Sequence, residues 1–248
     1  MFCIDPDNFV INTERSNKAV FYVIDQECEH VLLSAKSVKR HTSNVDVILV
    51  TPRRKTTFLV KNDSIDEAMI VPEHWSSNRE LARTFYIMTA LGNMYGLGYK
   101  KLIYMDCRSR VCSPIEDIFD TLDYFEFMGV HSPDRHSANT VHDIPNAFPE
   151  IYVGMNPMRN TNAVRAMWSD IYEWFTTYEE IYGHSIQGVL RDILWKYAWC
   201  AGGPHLHILP PEYSVRLGHQ CFVNGEVKVI HGNDANCRKV KGLGLIND

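Results

Sequence analysis

An acidic residue and two arginines follow an apolar run near the middle of the chain. Asp106 comes directly after Lys101–Met105, which has the composition of a buried strand. Open α/β sheets bind ligands above the carboxyl ends of their strands, so Asp106 is a candidate ligand contact. In an extended segment Asp106, Arg108 and Arg110 would point to one side, and guanidinium groups match phosphate oxygens bidentately. Pairing of Arg108 with Asp106 or with solvent alone remains an open alternative.

The elements that must position this segment alternate between strands and helices, which predicts a mainly parallel sheet. The predicted strands are residues 19–24, 45–50, 57–60, 68–71, 101–105, 127–130, 151–157 and 207–209, followed by a hairpin over 221–231 that turns at Asn224-Gly225. The predicted helices are residues 27–39, 79–94, 161–182 and 185–198, and one more that begins at Ser113-Pro114, with the serine as its N-cap. We expect the 101–105 strand to lie between the 19–24 and 151–157 strands or their immediate neighbours. Residues 131–148 are polar and interrupted by prolines, which predicts a long functional loop over one face.

Length and composition limit the classes of protein to consider. The 248 residues suit a single domain over 1–248, with a flexible tail from about residue 233. A net charge of −5 gives no reason to expect nucleic acid as the main partner. Seven cysteines without C-x-x-C pairs favour reduced thiols inside the cell. The first residues lack the apolar core of a signal peptide, and no stretch approaches the roughly 20 apolar residues of a transmembrane helix, so we expect a cytoplasmic protein.

Residues 99–120, YKKLIYMDCRSRVCSPIEDIFD, resemble the D-x-D region of GT-A glycosyltransferases. Four other regions resemble that family in the same order: 21–39 with 45–51, FPEIYVG at 148–154 with Asn160-Thr161, LPPEY at 209–213, and VIHG at 229–232. The resemblance implies an α/β/α sandwich of GT-A type, with a mostly parallel central sheet in a single domain. It also implies the transfer of a sugar from a nucleotide-diphosphate sugar to a hydroxyl of a glycan or similar acceptor.

The resemblance implies a donor site as well. Tyr22 and the neighbouring backbone would contact the base, Arg83 and Arg108 the diphosphate, and Asp106 the ribose or a metal ion. Mn²⁺ or Mg²⁺ would be held by Asp106 and His231. The second aspartate of the motif, however, falls where this chain has Arg108. Replacing that aspartate by arginine changes the local charge as much as removing a dication does, so Arg108 could take the place of the metal.

The acceptor side departs from the family pattern too. Related enzymes often have Asp-Gln at the start of a helix, where this chain has Ile186-Gln187. The resemblance implies that Gln187 faces the donor sugar, but an isoleucine cannot act as a base. Another acid would then be needed, and the candidates are Glu150, which would border the acceptor, Asp143 and Asp170. Gln187 and Glu150 are therefore the predicted catalytic residues.

Two alternatives stay open. The missing aspartates are compatible with a non-catalytic protein that binds nucleotide sugars or glycans on the same scaffold. His205-x-His207 and His219-x-Cys221 could bind zinc, although their spacing fits no familiar zinc motif. Dinucleotide oxidoreductases and P-loop enzymes are disfavoured, because the sequence lacks both glycine-rich phosphate motifs.

Overall fold

Strands and helices alternate along residues 16–24, 30–52, 63–132, 139–216 and 223–232, which are the parts of the chain that the computed structural model describes. The strands are β1 (Lys18–Val23), β2 (Asp46–Pro52), β3 (Glu67–Val71), β4 (Lys101–Met105), β5 (Ser109–Val111), β6 (Phe127–Val130), β7 (Met155–Arg159), β8 (Leu206–Leu209), β9 (Val215–Arg216) and β10 (Val229–His231). The helices are α1 (His30–His41), α2 (Arg79–Gly96), α3 (Glu116–Thr121), α4 (Asn162–Thr177), α5 (Glu179–Tyr182) and α6 (Ile186–Tyr197). No helix in these ranges is long and apolar enough to cross a membrane.

Seven strands form the central sheet, in the order β3-β2-β1-β4-β7-β6-β8. Neighbouring strands from β3 to β4 pair in parallel, as do β6 and β8, whereas β7 is antiparallel to both of its neighbours. This mostly parallel sheet, flanked by helices, confirms the predicted GT-A-like α/β class. β4 lies between β1 and β7, as the sequence predicted.

Both faces of the sheet are buried, which explains the uninterrupted apolar runs of its strands. Along β1, Ala19 and Phe21 pack with residues of α2, α4 and α6 on one face. Val20 and Tyr22 pack with residues of α1 and α3 on the other. The alternation follows from the two-residue period of a strand.

A second, three-stranded sheet lies beyond the carboxyl end of β4, in the order β5-β10-β9. β10 is antiparallel to β5 and parallel to β9, and His231 is opposite Ser109 and Arg216. The structure describes residues 223–231 of the predicted hairpin, and for these residues the prediction is wrong, because β10 pairs with β5 and β9. The first two residues of the predicted hairpin, 221 and 222, lie outside the described ranges.

Several predicted boundaries shift for local reasons. The predicted 161–182 helix is divided at Tyr178, which leaves helical geometry between α4 and α5. Ser113 does not cap α3: its hydroxyl donates to the Val227 carbonyl at 2.8 Å, and the helix begins at Glu116. β7 begins at Met155, four residues later than predicted. The predicted 57–60 strand, the start of the 27–39 helix and the tail from 233 lie outside the described residues.

Candidate functional site

Asp106 is fixed in a tight turn at the carboxyl end of β4. Its N–H donates to the Gly154 carbonyl at 2.8 Å, and its carbonyl accepts from the Ser109 N–H at 2.9 Å. Its Oδ1 accepts from the Arg108 N–H, also at 2.9 Å. The chain therefore reverses at residues 106–109, and the expected extended segment is wrong.

This turn separates the two arginines that the sequence placed beside Asp106. The Arg108 side chain is exposed, and only its backbone contacts the carboxylate. Arg110 points elsewhere: its Nη1 donates to the carbonyls of His30, Cys107 and Ser109. Arg110 therefore stabilises the turn and the start of α1.

Two cationic or potentially cationic side chains face the Asp106 carboxylate. His231 Nε2 lies 3.4 Å from Oδ1, and Arg83 Nη1 lies 3.9 Å from Oδ2. Burial by itself raises the pKa of Asp106, but the hydrogen bond and charge of His231, followed by Arg83 and the Arg108 amide, outweigh it and lower the pKa to about 2. The side chain still has 16% of its surface exposed, so an ionised carboxylate is available to a ligand.

Tyr152 and Arg216 extend this cluster. The Tyr152 hydroxyl lies 2.9 Å from Nδ1 and 2.8 Å from Nε2 of His231, and the two rings meet edge to face. The Arg216 guanidinium carbon lies 4.4 Å from the centre of the Tyr152 ring. Arg216 Nη1 is buried and has no hydrogen-bond partner among the described residues. Burial, followed by the charge of Asp106, raises the pKa of Tyr152, so its hydroxyl stays protonated.

Gly154 permits this arrangement. A Cβ at this position would lie 2.0 Å from Cε1 of Tyr152, closer than any real contact. Without a side chain, the backbone can pass beneath the Tyr152 ring while its carbonyl accepts from Asp106. Since Met105 pairs with Met155, this segment lies at the carboxyl end of β4.

The two predicted catalytic residues meet at the start of α6. Ser185 caps the helix by accepting from the Gly188 N–H at 3.2 Å, and Gln187 Nε2 donates to Glu150 Oε1 at 2.8 Å. Glu150 has no accessible surface. A carboxylate in that position cannot contact an acceptor directly, so the expectation that it borders the acceptor is corrected: Glu150 holds Gln187.

The described loop 139–150 is fixed to α6 by two adjacent buried residues. Arg191 donates to two carbonyl oxygens of the loop, at 3.0 and 3.1 Å. Asp192 accepts from the N–H groups of Val141 and His142, at 2.7 and 3.0 Å, and Oδ1 lies 2.9 Å from Nδ1 of His142. These contacts determine where the loop delivers Glu150.

Other predicted site residues lie apart from the cluster. Tyr22 is 1% exposed, and its hydroxyl lies 2.9 Å from Ser34 Oγ. Its side chain belongs to the core, and burial raises its pKa, so the expected contact with a base by this side chain is wrong. Asp170 accepts from Lys196 and Tyr197, near the end of α6 opposite to Gln187. Asp170 is therefore not near Glu150.

The residues present fit a divalent metal poorly. Both Asp106 oxygens already face donors or a cation, and His231 is engaged by Tyr152. In the part of the chain that the structure describes, no three His, Cys, Asp or Glu side chains converge as metal ligands. His207 stacks on Phe125 with the ring centres 4.5 Å apart, while the second half of the possible zinc set, residues 219 and 221, lies outside the described ranges.

Sequence reasoning missed Tyr152 and Arg216. Tyr152 lies in the FPEIYVG segment, in which the sequence indicates a role only for Glu150. Arg216 has no local signal, because it reaches the site only through the pairing of β9 with β10. A glycine two residues after an aromatic residue was the one available indication of the close approach at Tyr152.

Comparison with known proteins supports the fold. No family model and no curated protein matches the chain. Among solved structures, the chain is similar to the apo form of mouse xyloside xylosyltransferase 1, with a TM-score of 0.59 over 88% of this chain and 98% of that one, at 12% identity. This likeness shows the fold alone, which is GT-A-like.

Proposed function

We propose that this chain transfers a sugar from a nucleotide-diphosphate sugar to a hydroxyl of a glycan or similar acceptor. The proposal rests on one observation, the ionised Asp106 among arginines at the carboxyl edge of a GT-A-like sheet. Arg83 faces Asp106 and also pairs with Glu80, and Arg216 lies over the Tyr152 ring. A diphosphate entering this region would therefore have two guanidinium groups with which to pair.

Several residues of the site have separate tasks in the proposed reaction. Arg83 and Arg216 bind the diphosphate, and Asp106 accepts a hydrogen bond from the ribose. The bond between the sugar carbon and the phosphate oxygen breaks, and its electron pair stays on the diphosphate, where the guanidinium groups stabilise it. The acceptor oxygen forms the new bond, and its proton passes to water or to the departing diphosphate. Gln187, held by Glu150, orients the donor sugar.

The proposal uses arginine side chains rather than a metal ion to neutralise the donor. Asp106 and His231 were the expected ligands of Mn²⁺ or Mg²⁺, yet each is already engaged by neighbouring groups. Mg²⁺ sites commonly use only one or two carboxylates together with substrate phosphates, so the test below includes metal ions.

A second candidate function is binding without transfer. Two observations favour it: Ile186 stands where an acid was expected, and the nearby Glu150 is fully buried. Such a protein would bind a nucleotide sugar or a glycan and release it unchanged.

Thermal shift with a panel of nucleotide-diphosphate sugars, each with Mn²⁺ and with chelator, tests both candidates. At least one donor should raise the Tm, and Asp106→Ala should weaken its binding by about 1–3 kcal/mol, the value of a hydrogen bond to a charged group. Asp123→Ala is the control, since Asp123 is exposed and lies outside the cluster. Slow release of free sugar from that donor would identify an enzyme, and binding without release would identify the second candidate. If no donor binds, both candidates are wrong.

A further inference from the structure

Trp75 is the most exposed large hydrophobic side chain among the described residues. It lies between β3 and α2, and 83% of its surface is accessible. Its indole makes no ring contact with any residue in the described ranges, whereas the exposed Trp199 packs against Trp195 with ring centres 5.3 Å apart. An indole on the surface forgoes the stabilisation that burial would give, and most of its surface is open to a ligand.

The backbone on both sides of Trp75 is firmly held. The His74 ring lies 3.0 Å from the Tyr172 hydroxyl through Nε2, and its Nδ1 accepts from the Ser76 N–H at 3.3 Å. Ser76 Oγ in turn accepts from the Asn78 N–H at 3.0 Å. The backbone that carries the indole is therefore held by hydrogen bonds on both sides. Binding through the indole would cost little conformational entropy, because the segment is already ordered.

This segment also joins the two halves of the candidate site. Asn78 caps α2, which carries Arg83, and its Oδ1 lies 3.2 Å from Nδ1 of His184, just before the helix of Gln187. Trp75 lies at most about 11 Å from Asn78 along an extended chain, and Arg83 is about 7.5 Å further along α2. Trp75 is therefore within roughly 20 Å of the arginine that faces Asp106.

The residues next to Trp75 in the sequence favour one kind of ligand over others. Its neighbours in the chain are polar or charged: Glu73, Ser76, Ser77 and Arg79. The core of a protein–protein interface is depleted of charged residues, whereas Glu73 and Arg79 lie close to Trp75 in the sequence. A pyranose ring has an apolar face of C–H groups and a rim of hydroxyls, so it matches a single indole whose neighbours in the chain can form hydrogen bonds.

We propose that Trp75 is a stacking platform for a pyranose ring of the glycan acceptor. The assignment to the acceptor, rather than to a glycan in general, rests on the proposed transferase function. The stacking itself is inferred from the exposed indole, the hydrogen-bonded segment that carries it and the polar residues next to it in the sequence.

An array of immobilised pyranose oligosaccharides, followed by calorimetry with the soluble form of the best binder, tests the proposal. Trp75→Ala should weaken glycan binding at least about tenfold, from the loss of aromatic contact and buried area. Trp75→Phe should retain most of the affinity, because it keeps an aromatic face. Trp199→Ala is the matched control, an exposed tryptophan beyond the far end of α6, and it should bind as the unmodified protein does. All three variants should keep the Tm and the nucleotide-sugar affinity of the unmodified protein.

Each outcome bears on one proposal. Glycan binding that Trp75→Ala leaves unchanged, or no binding to any oligosaccharide of the array, overturns the platform. If glycan binding depends on Trp75 while no nucleotide sugar binds, the platform stands and the transferase proposal fails. If nucleotide sugars bind and turn over but Trp75→Ala transfers to the glycan with unchanged KM, only the platform fails.

Discussion

Two carboxylates, Asp106 and Glu150, lie at the same edge of the sheet in opposite surroundings. Asp106 is partly exposed, faces Arg83 and His231, and has a pKa lowered to about 2. Glu150 is fully buried, and its side chain accepts from the neutral amide of Gln187. The Asp106 carboxylate is therefore ionised and accessible to a ligand, whereas the Glu150 carboxylate binds another side chain inside the protein.

This difference indicates that the two sides of the site do different work. The Asp106 side supplies fixed charges, which favour an anionic ligand before any reaction occurs. The Gln187 side supplies hydrogen bonds and a fixed loop, and its carboxylates support other protein groups. The site is therefore better equipped to bind an anion than to remove a proton from a ligand.

The largest effect should come from the carboxylate that fixes loop 139–150 to α6. Asp192 is fully buried and accepts from two backbone N–H groups and the Tyr182 hydroxyl, besides contacting His142. Asp192→Asn should lower the free energy of unfolding by about 3 kcal/mol, because the amide leaves buried donors without an acceptor. Urea unfolding at pH 7 measures this change.

Asp170→Asn is the matched control for Asp192→Asn. Asp170 also contacts a basic side chain and a tyrosine, Lys196 and Tyr197, but 30% of its side chain is exposed. Asp170→Asn should lower the free energy of unfolding by under about 1 kcal/mol. Equal effects of the two substitutions would show that Asp192 does not anchor the loop.

The next effect concerns the charge of Asp106. Its pKa is lowered from 3.8 to about 2 in the folded protein, so the carboxylate stabilises the fold at pH values above the unfolded pKa. Asp106→Asn should therefore lower the unfolding free energy by about 2 kcal/mol at pH 7. The difference from the unmodified protein should shrink as the pH falls from about 4 to 2, because the carboxylate is then protonated in both states. Urea titrations across this range test it, and a difference independent of pH would contradict the assigned role of His231 and Arg83.

A smaller effect is expected at Arg216, where one guanidinium nitrogen has no hydrogen-bond partner among the described residues. Arg216→Ala should weaken nucleotide-diphosphate-sugar binding about tenfold, the scale of one charge-assisted hydrogen bond. Arg216→Lys should restore only part of the affinity, since lysine keeps the charge but not the planar fork. Calorimetry with the donor found by thermal shift decides this, and equal affinity in all three proteins would place the diphosphate elsewhere.

The sequence allowed the fold to be predicted because burial on both faces makes strands such as Lys101–Met105 apolar after the first residue. The same property concealed the orientation of Tyr22, since an all-apolar strand does not reveal which residues face which layer. The burial of Glu150 and the approach of Arg216 to Tyr152 depend on distant pairings, the first with α6 and the second between β9 and β10. No local pattern carries that information.

The smallest effect of removing a side chain is expected at Arg108. Substitutions at this position also test whether arginine or a metal ion neutralises the donor diphosphate. Its side chain is exposed, and its backbone N–H holds Asp106 whatever the side chain is. Arg108→Ala should therefore change donor affinity less than Arg216→Ala, by under about 1 kcal/mol.

Arg108→Asp, in contrast, adds a second carboxylate near the diphosphate, and two like charges 4 Å apart repel by about 4 kcal/mol in a surface-like dielectric. Donor binding to Arg108→Asp should then require Mn²⁺ or Mg²⁺, while the unmodified protein binds equally well with chelator. Loss of the donor from the unmodified protein on chelation, together with normal binding by Arg108→Ala, would instead indicate a metal held by Asp106 and His231.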